Sequence, residues 1–80
     1  MKFSGIRHTT NDTALRTLAD QLVGGVELLE FDSPKDLQEQ IIHDLFPDNC
    51  PDGTAVTLEG TQVWVKVNGA PLASFTPIEN

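Results

Sequence analysis

Alternation of apolar and polar residues, broken twice by two-residue turn signals, governs the last third of the chain. Thr54 to Glu59, Gln62 to Val67 and Ala70 to Phe75 read as strands, and Gly60-Thr61 and Asn68-Gly69 between them suit tight hairpin turns. Such turns fix a register, setting Leu58 opposite Val63, Val56 opposite Val65, Val67 opposite Ala70 and Val65 opposite Leu72. Every one of these pairs is apolar, so they form a face that must be covered. The other face then collects Ala55, Thr57, Gln62, Trp64, Lys66, Ala73 and Phe75, with Trp64 between Thr57 and Ala73.

The preceding residues supply the cover. Lys2 to His8 reads as a short strand in which Gly5 marks a bulge or an edge position. Asn11 and Asp12 open a helix whose apolar residues Leu15, Leu18, Ala19 and Leu22 recur at helical spacing, and Gly24-Gly25 offers a left-handed stop. Val26 to Phe31, apolar on both sides, reads as a strand inside the sheet. Ser33 suits an N-cap, Pro34 the first helical position and Asp36 the first turn of a second helix. Leu37, Ile41 and Leu45 form that helix's buried stripe, and Pro47 ends it.

The expected fold class is therefore α+β, in the order β-α-β-α-β-β-β. Two helices pack on one face of a mixed, mainly antiparallel five-stranded sheet that ends in a three-stranded meander; helices on both faces is the alternative. A chain of 80 residues buries only about 60% of its unfolded surface and makes a single domain, 1–80.

Charge narrows the function. The net charge is −7, and between Ala19 and Glu59 ten acids face Lys35 alone. Nucleic-acid affinity rests on Lys and Arg displacing counterions, so direct binding of nucleic acid is disfavoured and a basic protein surface is the expected partner. No stretch has the length of a membrane span, the start Met1-Lys2-Phe3-Ser4-Gly5 lacks the apolar core of a signal peptide, and Cys50 is the only cysteine. The expectation is a cytoplasmic protein, a monomer or weak homodimer without a disulfide.

Motifs for chemistry are sparse. Asp48 to Glu59 has acids and a glycine at the calcium-loop positions one, five, six and twelve, but Cys50 stands at position three and a strand follows where that motif needs a helix. Asp36, Glu39 and His43 lie on neighbouring helical turns, yet no second histidine joins them. Cys50-Pro51 follows a helix in an acidic loop, which raises a thiol pKa rather than activating the thiol. His8 and His43 belong to no nucleophilic motif, and no phosphate or dinucleotide loop is present. Neither a catalytic residue, a metal site nor a cofactor is expected.

The segment Phe31-Asp32-Ser33-Pro34-Lys35-Asp36-Leu37, a strand running into a capped acidic helix, is similar to a segment of at least one type I inhibitor among the anti-CRISPR proteins. In size and charge the chain also resembles small acidic phage-encoded inhibitors. That resemblance implies a binder occupying a basic surface of a larger nucleic-acid-handling complex.

The expected function is thus a non-catalytic acidic binding protein, of the phage-inhibitor or nucleic-acid-mimic kind. Its expected contacts are Asp36, Glu39 and Asp44 on the second helix and Asp48 and Asp52 in the loop after it. The alternative is a structural or assembly subunit that binds or self-associates through the sheet face of Trp64 and Phe75.

Overall fold

The structure is a computed structural model that describes residues 1–8, 11–45 and 52–78. Its elements are β1 (Phe3–Arg7), α1 (Thr13–Glu27), α2 (Pro34–Gln40) running into a π-helical turn (Ile41–Leu45), β2 (Thr54–Glu59), β3 (Gln62–Val67) and β4 (Ala70–Pro77). They form an α+β fold with one antiparallel sheet in the strand order β1-β4-β3-β2. Among the described residues the sheet therefore has four strands rather than five, contains no parallel pair, and follows the chain order β-α-α-β-β-β.

The missing strand is the end of a helix and the loop that follows it. Asp12 caps α1, its carboxylate accepting from the Ala14 and Leu15 N–H groups at 2.9 and 3.2 Å. The helix then passes through Gly24-Gly25 to Glu27. Neither glycine has a positive φ, whereas Gly53, Gly60 and Gly69 do. Ala19, Leu22, Val23 and Val26 are all buried, and they continue one stripe at i, i+3, i+4 and i+7. Burying Val26 from the helix outweighs the weak stop signal of two glycines, which cost a helix interior only about 1 kcal/mol each. Leu28 and Leu29, expected inside the sheet, are exposed, and Phe31 alone returns to the core, edge-on to Phe3 at 5.8 Å.

Ser33 caps α2, its hydroxyl accepting the Asp36 N–H at 3.1 Å, with Pro34 in the first turn. Leu37 and Ile41 are fully buried in the same cluster as Val63, Val65, Phe75 and the α1 stripe. Both helices consequently share one face of the sheet, α1 over β1 and β4, α2 over β2 and β3. Gly5 lets α1 come close, because a Cβ there would stand 2.9 Å from Val23 and 3.0 Å from Phe75. Its strand is an edge, as the sequence allowed, but the β1–β4 register is unbroken from Phe3 to Arg7.

The register of the last hairpin departs from strict alternation. Val67 pairs with Ala70 and Lys66 with Pro71, but Val65 pairs with Ala73 rather than Leu72, leaving Leu72 as the extra residue of a bulge. Proline has no N–H for the ladder, and in a strand with neighbours on both sides it is tolerated at a bulge. Beyond the bulge each side chain of β4 changes face. Ala73 and Phe75 turn into the core, and Ser74 turns out beside Trp64.

Candidate functional site: the open sheet face around Trp64

With both helices on one side, no described helix covers the other. That face presents Ser4, Ile6 and His8 from the first strand and its extension, Ser74 and Thr76 from β4, Gln62, Trp64 and Lys66 from β3, and Ala55, Thr57 and Glu59 from β2. Trp64 is its centre. The His8 ring stacks on the indole at 5.1 Å between centroids, and Lys66 Nζ lies 5.8 Å from the ring centroid.

Hydrogen bonds hold the surroundings in place. The His8 N–H donates to the Leu72 carbonyl at 3.1 Å, which continues the β1–β4 ladder by one residue and fixes the histidine at its end. His8 Nε2 then lies 3.0 Å from Ser74 Oγ. Trp64 Nε1 donates to Gln62 Oε1 at 3.2 Å, and Gln62 Nε2 donates onward to Thr76 Oγ1 at 3.3 Å. Lys66 pairs with Glu59 at 3.3 Å, and the Thr57 hydroxyl donates to the same carboxylate oxygen at 3.4 Å. Fixed rotamers lose little entropy on binding, so such a surface is preorganised. Ile6, 56% exposed, extends the apolar part across β1.

A serine 3.0 Å from a histidine is two thirds of a nucleophilic set. Here, though, Ser74 is only 4% exposed, and among the described residues no carboxylate bonds to the other ring nitrogen of His8. A substrate carbonyl has no access to this hydroxyl, and the pair is a satisfied polar contact under Trp64. Among the described residues no three His, Cys, Asp or Glu side chains gather into a metal set, and no helix is long and apolar enough to cross a membrane.

The fold separates two of the expected site residues. Trp64 is half-buried on the open face, but Phe75 is fully buried on the helix-covered face, so the two never share a surface. The Pro71 bulge is the cause. Asp36 is half-buried and occupied locally, accepting from the N–H of Asp32 just before the helix at 3.0 Å and from Gln40 Nε2 at 3.3 Å. Glu39 and Asp52 are exposed. Asp48 and Cys50 lie outside the described residues, as does the side chain of Asp44. Other acids also have local roles: Asp20 pairs with Arg7 at 3.0 Å, and Glu27 accepts the Gly5 N–H at 3.2 Å.

His8, Ser74 and Ile6 were not expected at a site. The signal for Ser74 was Pro71, whose presence inside an alternating strand marks a shift of register. His8 and Ile6 became visible only once β1 was known to pair with β4. Compared with known protein families, curated proteins and solved structures, the chain matches none.

Proposed function

We propose that this chain is a non-catalytic binding protein whose contact surface is the open sheet face centred on Trp64, and whose partner is a basic protein surface. The observation that carries this reading is the segregation of the two sheet faces, with both described helices on one and a bonded, aromatic-centred array on the other. Tryptophan is enriched among the residues that dominate binding energy, and a rigid ring flanked by polar groups gives contact area at small entropic cost. The net charge of −7 supplies long-range attraction toward Lys- and Arg-rich partners. A reducing cytoplasm suits the single Cys50.

A second reading places the contact on the acidic helix side, as an inhibitor mimicking nucleic acid would. It is favoured by Glu39 and Asp52, both exposed and without a hydrogen bond or ion pair among the described residues. Two substitutions separate the readings in affinity capture from lysate of the source cells. Ile6→Gln removes apolar area from the sheet face without changing charge, and Glu39→Lys reverses charge on the helix. Loss of the wild-type partner with I6Q and its retention with E39K support the sheet face. The reverse pattern transfers the contact to the acidic side.

A further inference from the structure

We infer that β2, an outer strand of the sheet, pairs antiparallel through Val56 and Leu58 with β2 of a second copy of this chain, joining two four-stranded sheets into one of eight strands. This goes beyond the binding surface proposed above and does not depend on it.

The two edges of the sheet are treated differently. At β1 the Gly5 N–H is taken by Glu27, while Phe31 lies alongside and exchanges hydrogen bonds with Met1, its own N–H donating to the Met1 carbonyl at 2.9 Å. That edge is thus guarded at the Gly5 N–H and just before its first residue, a partial form of the protection sheets use against edge pairing. At β2 only one contact is made among the described residues on the main-chain groups of Val56 and Leu58: Gln38 Nε2 donates to the Val56 carbonyl at 2.9 Å. Because Glu59 and Gln62 flank a two-residue turn, Val56 and Leu58 point their N–H and carbonyl groups away from β3. The Gln38 bond shows the Val56 carbonyl doing so, and that oxygen retains a second lone pair.

One register satisfies both copies. Centred on Thr57, it sets Val56 against Leu58 of the second copy in two hydrogen-bonded pairs, and it places Thr57 against Thr57, a favourable cross-strand match. Leu58, 40% exposed at the rim of the core face, is then covered by the other copy's Val56. On the opposite face Glu59 lands beside Ala55 of the other copy, whose neighbour on β3 is Lys66. Lys66 and Glu59 already pair at 3.3 Å within one chain, and the register lets them exchange partners: two strand spacings make the separation between copies about 10 Å between Cα atoms, against about 14 Å within one chain, and the small Ala55 leaves the path clear. Registers centred on Val56 or Leu58 lose this charge match.

The contact is small, so dimerisation belongs between about 10 μM and about 1 mM. Sedimentation equilibrium across that range tests it. Wild type is expected to shift from monomer to dimer, and Thr57→Lys, which sets two cations face to face, is expected to raise the dissociation constant at least about tenfold with an unchanged circular dichroism spectrum. Glu59→Lys and Lys66→Glu each weaken self-association alone, but an equimolar mixture of the two restores a heterodimer through two opposite-charge contacts. A wild-type protein that stays monomeric throughout, or a mixture no more associated than its components, overturns the inference.

Discussion

Replacing Gly24 and Gly25 by alanine is expected to stabilise the fold, and the sign of the effect decides how α1 ends. Both glycines are helical, neither has a positive φ, and a Cβ built on either meets no atom within 4 Å. The substitution therefore adds no clash. It removes the excess conformational freedom of glycine from the unfolded chain, worth about 0.5 to 1 kcal/mol per site in a helix and less where the last turn frays. The double variant gains about 1 to 2 kcal/mol, and at about 4 to 8 °C per kcal/mol for a domain of this size its melting temperature rises by about 5 to 15 °C. Thermal unfolding followed at 222 nm measures this directly. Were the pair instead a left-handed stop before a strand at Val26, alanine would be forced to positive φ at about 1 to 2 kcal/mol per residue. A lowered melting temperature would thus refute the continuous helix.

Other substitutions probe the packing. Gly5→Ala is expected to lower stability by about 1 to 3 kcal/mol in denaturant titration, since its Cβ meets Val23 at 2.9 Å and Phe75 at 3.0 Å. Phe75→Ala should cost about 3 to 5 kcal/mol and unfold much of the protein at 37 °C by circular dichroism, an outcome incompatible with a surface position. Ser33→Ala and Asp12→Ala each remove an N-cap and should cost about 1 kcal/mol; equilibrium urea unfolding gives both values.

Local chemistry made part of this fold legible. The caps at Asp12 and Ser33 and the turns at Gly60-Thr61 and Asn68-Gly69 stand where residue type places them, because each depends on a few neighbouring atoms. Asn68 and Gly69 both adopt the positive φ that a tight hairpin turn demands. What was not legible depended on competition between a local signal and burial. Gly24-Gly25 is a stop signal in isolation, and only the fit of Val26 against the rest of the core decides that the helix continues. Val26 to Phe31 is apolar on both sides, which suits an inner strand and a helix end followed by a loop equally well.

The site was legible in its centre and not in its surroundings. Trp64 follows from alternation alone, being opposite Thr57 on the first hairpin. Its partners across β4 follow from the Pro71 bulge, which exchanges Phe75 for Ser74, and from the pairing of β1 with β4, which brings His8 to Ser74 across 66 residues of sequence. The charge pattern suggested a single acidic surface. Of the expected contacts Asp36 accepts hydrogen bonds from its sequence neighbours, and outside that set Asp12 caps α1, Glu27 guards the β1 edge and Asp20 pairs with Arg7, positions that no net charge reveals.

Proton–proton NOEs test the central claim, that the bulge divides the sheet into a helix-covered face and an open face around Trp64. The indole protons of Trp64 are expected to show NOEs to the His8 ring and to the Ser74 β-protons, while the Phe75 ring contacts the α-protons of Gly5 and the methyl groups of Val23. NOEs between the Phe75 ring and the Trp64 indole, with Ser74 turned toward the helices, would restore the uninterrupted register and contradict the account.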